Sequence, residues 1–198
     1  MAAVLPDEVL DTFGRLLEGA RAAGDPEPTA MTLATKDPDG RLSARTVLLK
    51  AFDARGFVFY TNTLSRKGRA LAAHPHAALL FHWKTLHDGV QVRIEGAVEP
   101  VEAAEADAYF ASRPRESQLG AWASLQSEPL ADRETFQARY AEVEARHAGQ
   151  AVPRPPHWSG YRVVPEAVEF WYGARFRLHD RHVYRRVDGI WTRGLLYP

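Results

Sequence analysis

The sequence predicts an α+β protein, a β-barrel decorated by helices, and three observations carry that prediction. Six or more short runs have strand character and are separated by turn signals such as "DPDG" and "DARG". Helical spacing is confined to a few stretches that interrupt or flank those runs. The 198 residues, 45% hydrophobic and 11% aromatic, suffice for one well-cored domain, so a single unit over 1–198 is expected.

Residues 7–23 place Val9, Phe13, Leu16 and Leu17 on one helical face, and Gly24, Asp25 and Pro26 end that helix. Residues 1–27 are thus a helix with a short extension. Three strand-like runs follow at 29–35, 43–52 and 56–62. A short helix is expected over 65–75, stopped by Pro75. "HAALLFHWKTL" and "VQVRIEGAVEPV" restore the strand pattern, for about five strands in an antiparallel meander. Residues 101–113 and 131–148 have helical composition, with "SQLGAWASLQS" between them. After the Pro-rich loop 149–158, further strands are expected at 159–164, 167–172, 176–185 and 189–193.

Twenty-five Lys and Arg balance twenty-five Asp and Glu. A net charge of zero argues against non-specific nucleic-acid binding, which needs a large positive field. There is no cysteine, so disulfides, thiolate chemistry and Cys-based zinc sites are excluded. The eight histidines include no HExxH pair, so no metal site is expected. No run approaches the roughly 20 apolar residues of a membrane span, and no basic-then-apolar leader opens the chain. The expectation is a soluble cytoplasmic protein.

Four stretches concentrate polar groups in apolar, strand-like surroundings. In "ARTVLLK", Arg45 and Lys50 bracket an apolar run; two strand-end charges reaching solvent would look the same. In "FYTNTLSRKGRA", a strand ends at Tyr60, Thr61 and Asn62, Ser65 can cap the next helix, and Arg66 and Lys67 lie in its first turn. Cations there oppose the helix dipole unless an anion binds too, which makes a phosphate cradle or simply an exposed basic helix start. In "YFASRPRESQLGAW", Tyr109, Arg113 and Ser117 recur every fourth residue, interrupted by Pro114. One guanidinium and two hydroxyls suit a phosphate ester, but an ordinary polar helix face fits equally. In "EFWYGARFRLHDRHVYRR", residues 169–186, extended geometry would line Arg175, Arg177, His179 and Arg181 along one face, with Phe176 and Leu178 as core on the other. A solvated edge strand is the competing reading. Trp171 could stack on a planar ring or fill the core. There is no GxSxG elbow, Walker loop or GxGxxG, so anchoring groups without a reactive centre point to a cofactor.

In that order and spacing, "RTVLLK", "VFYTN", "SRKGRAL", "QVRIEG", "YFASRPRESQLGAWASLQS", "FWYG" and "RLHDR" resemble the pyridoxamine 5′-phosphate oxidase family from about residue 28 to the end. The resemblance implies an antiparallel split β-barrel homodimer with FMN at each of two subunit interfaces. It implies oxidation of pyridoxamine and pyridoxine 5′-phosphates to pyridoxal 5′-phosphate, with O2 as acceptor and H2O2 released, and NH3 from the amine. By motif, Arg45, Lys50, Tyr60, Thr61, Arg66, Lys67, Gln91, Gln126, Ser127, Trp171 and Arg181 would hold FMN. Lys50, Tyr109, Arg113 and Ser117 would hold the substrate phosphate. Arg177 and His179 would lie over the substrate ring as positioning and proton-managing groups, so that residues 159–198 complete the substrate site. Arg175 has no counterpart and reads as a solvated charge.

Three departures accompany the resemblance. Only some 28 residues precede "TAMTLAT", where family members carry a longer basic and aromatic extension, so that cover is expected to be missing. The loop before "VRIEG" is about two residues longer and lacks the usual Arg-Gln pair, which leaves Gln91 as the match. The end reads "RGLLYP" in place of Arg-Leu-x-Pro, with Arg193 nearest. Two alternatives stay open: an FMN oxidase of the phenazine-pathway type, and a non-catalytic FMN- or pyridoxal-phosphate-binding protein.

Overall fold

Helix α1 (Asp7–Ala22) forms where the spacing predicts it and buries Val9, Phe13, Leu16, Leu17 and Ala20. The Phe13 ring meets Phe52, Phe57 and Phe81 edge-on, with centroids 4.8, 4.9 and 5.1 Å away. Truncating a Phe so enclosed costs about 3–5 kcal/mol, so this helix is a fixed wall of the core. The computed structural model describes residues 4–198. Among them, no helix is long and apolar enough to cross a membrane.

Among the described residues, nine antiparallel strands make one curled sheet: β1 (Ala30–Lys36), β2 (Leu42–Leu48), β3 (Ala51–Asp53), β4 (Gly56–Asn62), β5 (His76–Trp83), β6 (Val90–Pro100), β7 (Trp158–Tyr172), β8 (Asp180–Val187) and β9 (Ile190–Leu195). The order β2-β1-β5-β6-β7-β4-β3 replaces the expected meander. The pairs β1–β2, β3–β4, β5–β6, β7–β8 and β8–β9 are local hairpins, but β4 pairs with β7, about a hundred residues later, instead of with β5. Adjacent hairpins are written in local turn residues; that long-range pairing is not. The expected strand 43–52 divides, because the chain leaves β1 after Leu48 and Lys50 donates its N–H to Val58 of β4.

The two strands expected at 159–164 and 167–172 are one, β7, and it forks the sheet. One edge of β7 takes β6 along its length. The other is shared by β4, at residues 158–163, and β8, at 167–172. The register of β6 shifts between Glu95 and Gly96, opposite Pro165 in the gap. A Cβ on Gly96 would lie 2.0 Å from the Val164 carbonyl oxygen, so only glycine lets the strands approach there.

The expected strand 176–185 is corrected. The chain turns through a 3-10 segment at Arg175–Arg177, and β8 begins only at Asp180. Phe176 and Arg177 have φ of 57° and 62°, a left-handed conformation that breaks the alternation. Phe176 and Leu178 are 90% and 68% exposed, so they are not core.

Helices α2 (Arg66–Ala73), α3 (Ala103–Ala111), α4 (Arg115–Ala123) and α5 (Arg133–Arg146) cover the barrel. Helix α4 takes in the "SQLGAWA" part of "SQLGAWASLQS", for which the sequence suggested no element of its own. A second apolar cluster of Phe110, Leu119, Ala123, Val143, Val152 and Trp158 joins α3, α4 and α5 to the start of β7.

Candidate functional site

The first group of expected residues gathers where β4 ends. Ser65 caps α2 as expected: it is buried, and its Oγ accepts from the Gly68 N–H. Helix and strand end are pressed together, since a Cβ on Gly68 would lie 2.1 Å from the Thr63 carbonyl oxygen. Lys67 folds back so that Nζ donates to Thr61 Oγ1 at 3.1 Å and to Gln126 Oε1 at 2.8 Å. Ser127 beside it has a left-handed φ of 76°, a conformation that costs a non-glycine residue energy. Burial, and then the charge of Arg45, push the Lys67 amine below its ordinary pKa. Arg45 is itself lowered by burial. Its guanidinium donates to Leu33 O, Thr35 Oγ1 and Ser43 Oγ.

Arg66 sends two donors to one oxygen of Asp37, at 2.9 and 2.6 Å. Asp37 is buried, and the Arg66 hydrogen bond holds its carboxyl below the ordinary 3.8. Three cations thus stand in this group against one carboxylate, which Arg66 alone of the three contacts. The group has positive charge to spare.

Pro114 does break the helix that would have stacked Tyr109, Arg113 and Ser117, and the break brings Arg113 and Ser117 to a cavity. The Gln118 side-chain amide donates to the carbonyls of Phe110, Ala111 and Arg113, stitching the end of α3 to the start of α4. A cavity of about 380 Å³ results, lined among others by Tyr60, Thr61, Arg113, Ser117, Gln126 and Trp158. Tyr60 stacks on Tyr109 at 4.1 Å and on Trp158 at 5.2 Å. The Arg113 guanidinium sits 4.8 Å from the Trp158 ring centroid, and its NH1 is buried with no hydrogen-bond partner among the described residues. Burial lowers its pKa. A buried, unpaired guanidinium nitrogen is costly unless an anion completes it.

The second group lies on the outer face of β6, β7 and β8. Gln91 is opposite Trp171, and Trp171 opposite Arg181, so the three form one row across the strands. His179 packs on Trp171 at 4.4 Å, and its Nδ1 accepts the Ala174 N–H. A neutral ring so held carries its proton on Nε2, which remains the free donor. Arg177 is exposed and makes no hydrogen bond among the described residues. Arg175 is likewise exposed.

The structure does not bring every expected residue together. Lys50 joins neither group; it lies between β2 and β3 beside Arg21, Thr29 and Phe52. The two groups stand at opposite ends of β7, marked by Trp158 and Trp171, 13 residues apart. At roughly 3.3 Å per residue that is at most about 43 Å along the strand. Three organising residues escaped the sequence reading: Asp37 on Arg66, Gln118 at the helix break, and Glu169, which accepts from Arg181. Asp37 opens the turn after β1 and Glu169 lies within β7, both places where an acidic residue reads as ordinary solvent-facing charge.

Residues 18–147 match the family model for pyridoxamine 5′-phosphate oxidase, and 158–198 the pyridoxine 5′-phosphate oxidase C-terminal dimerisation region. The chain belongs to the pyridoxamine 5′-phosphate oxidase family. It is 61% identical over 195 residues to a pyridoxine/pyridoxamine 5′-phosphate oxidase of Myxococcus xanthus, covering 98% of this chain and 94% of that one. A Xanthomonas euvesicatoria relative of the same name is 60% identical over 193 residues, covering 96% and 97%. Among solved structures, PhzG from Burkholderia lata, in complex with tetrahydrophenazine-1-carboxylic acid, superposes with a TM-score of 0.90 at 38% identity, covering 98% and 94%. A pyridoxamine 5′-phosphate oxidase-related, FMN-binding protein of Nostoc punctiforme shares the fold, with a TM-score of 0.75 at 17% identity, covering 95% and 96%. Family membership carries the split-barrel fold, the oxidoreductase class and the FMN cofactor implied by the motifs. The donor set of this pyridoxamine 5′-phosphate oxidase family member fits such a group: surplus cations and a capped helix start suit a phosphate, and Trp171 offers a planar surface.

Proposed function

We propose that this chain oxidises pyridoxamine 5′-phosphate and pyridoxine 5′-phosphate to pyridoxal 5′-phosphate, with dioxygen as acceptor, as a homodimer. The observation that carries the reading is the unpartnered, buried Arg113 nitrogen in a cavity with Ser117. It suits the dianion of a phosphate ester, which a guanidinium and a hydroxyl bind with charge-assisted hydrogen bonds. When bound, FMN supplies the redox chemistry, taking two electrons from the substrate and passing them to oxygen.

The chain's own residues bind and orient. Arg45, Arg66, Lys67, Thr61, Tyr60, Gln126 and Ser127 form the cradle for the cofactor phosphate and its neighbourhood. Arg113, Ser117 and Tyr109 anchor the substrate phosphate, with the Tyr109–Tyr60–Trp158 stack keeping water from that end. His179 presents Nε2–H, and Arg177 a free guanidinium, for a substrate ring; Gln91, Trp171 and Arg181 form the remaining wall. Because the groups sit at opposite ends of β7, one copy does not close both over one ligand pair. A second copy, docked through 158–198, supplies the missing half, and Lys50 joins the site in that assembly.

A second reading has its own support, the 0.90 TM-score to PhzG. One assay separates them. FMN-loaded protein given pyridoxamine 5′-phosphate in air is expected to form aldehyde and peroxide in equal amounts. Turnover of a reduced phenazine carboxylate instead would transfer the chain to the second reading. Flavin uptake without turnover of either would leave a binding protein.

A further inference from the structure

Strand alternation puts Gln91 and Arg93 of β6, Glu169 and Trp171 of β7, and Arg181 of β8 on the same, outward face. A carboxylate there would ordinarily be solvated. Glu169 is only 7% exposed. Its Oε1 accepts from Arg181 Nε at 2.7 Å and its Oε2 from Arg93 at 3.2 Å, while Arg93 also reaches Glu95 at 2.8 Å. Arg181 is tied from the other side too: its NH1 donates to the Tyr197 carbonyl at 3.0 Å, and its own carbonyl accepts the Leu196 N–H at 3.0 Å. With Nε and NH1 taken, NH2 is the one guanidinium nitrogen without a partner among the described residues. The arrangement fixes which edge of the cation is offered and offsets part of its charge.

We propose that Glu169 is a positioning residue for Arg181: it holds the guanidinium beside Trp171 with one edge free and sets the net charge that Arg181 presents to the flavin. This rests on the functional reading above, in which Arg181 and Trp171 face FMN. A carboxylate one bond behind a cation lowers the positive potential in front of it. Removing that carboxylate leaves the cation less compensated, which favours the electron-rich reduced flavin.

The test uses the full-length protein loaded with FMN and the variants Glu169→Gln and Glu169→Ala. FMN dissociation is read from flavin fluorescence, and the midpoint potential of bound FMN by reductive titration. Gln keeps an oxygen for Arg181, so its FMN affinity should stay within about threefold of wild type while the midpoint potential rises. Ala removes the acceptor, so FMN should bind roughly tenfold more weakly, the scale of one misdirected charge-assisted hydrogen bond. A Glu169→Gln protein with the wild-type potential overturns the inference, whatever its melting temperature. Should Glu169→Ala not fold, the potential of Glu169→Gln decides alone. Wild-type protein that takes up no FMN overturns the functional reading and this inference with it; normal uptake with an unmoved potential overturns the inference alone.

Discussion

The two groups of site residues are built in opposite ways. The one at the end of β4 draws on β2, β4, α2, α4 and the loop after α4, and its side chains already bond one another: Lys67 to Thr61 and Gln126, Arg66 to Asp37, Arg45 to Thr35 and Ser43. The one at the end of β7 lies on a sheet face and a strained turn, with Arg177 unpaired and Phe176 and Leu178 exposed. The first is preorganised, so a ligand arriving there pays little to order it. The second is ordered only in part: Glu169 and the C-terminal tail hold Arg181, while Arg177 lies open with no hydrogen-bond partner among the described residues.

That contrast orders the expected effects of substitution. Arg113→Ala removes a charge from the preorganised end, where binding is shared by ground and transition states. The KM for pyridoxamine 5′-phosphate should rise about a hundredfold with kcat changed little, the worth of two charge-assisted hydrogen bonds. Steady-state kinetics with varied substrate check this, and an unchanged KM would remove Arg113 from the phosphate site. Arg177→Ala acts at the open end. Alanine keeps a Cβ at φ 62°, so the turn's strain is unaltered and only the guanidinium is lost. Here kcat should fall by about tenfold while FMN affinity stays at the wild-type value, which turnover and flavin titration measure separately. A weakened FMN affinity would erase the distinction between the two ends.

The smallest effect concerns Asp37. Its folded pKa lies below the ordinary 3.8 because Arg66 hydrogen-bonds it. A depressed carboxyl contributes stability that is present above the unfolded value and lost as pH falls through the folded one. Asp37→Asn should therefore lower the melting temperature modestly near neutrality, and the difference from wild type should shrink as pH falls below the ordinary 3.8 and through the lower folded value. Melting curves across pH 2 to 7 show whether the gap closes in that window.

Much of this was legible in the chain. Helix α1, the Ser65 cap, the helix break at Pro114 and the strands β1, β4, β5 and β6 follow from spacing, capping chemistry and turn residues, all of them local. The misreading of 169–186 has a local cause as well. The alternation of Arg175, Phe176, Arg177 and Leu178 is that of a strand, yet the backbone goes left-handed at Phe176 and Arg177 without a glycine to announce it. The pairing of β4 with β7 was hidden because no short-range signal specifies a partner a hundred residues away. Asp37 and Glu169 were hidden for a third reason. A carboxylate that holds a site's arginine in place has the same spelling as one that faces water.

The forked strand β7 has a bearing on how the molecule comes apart. Residues 164–166 lack a partner on the edge that β4 and β8 divide, and Pro165, which has no N–H to offer, occupies that gap. The β8–β9 hairpin can therefore detach without disturbing a single β4–β7 hydrogen bond, and the reverse is equally true. In hydrogen exchange the two would appear as separate cooperative units hinged on one strand. Beyond β7, the unit that carries Arg181 is held to the rest of the molecule by the Tyr184 ring in the core, by Tyr184 and Arg193 on Glu8, and by Trp191 on the Val4 carbonyl. Protection of its amides would then report directly on whether a second copy has docked.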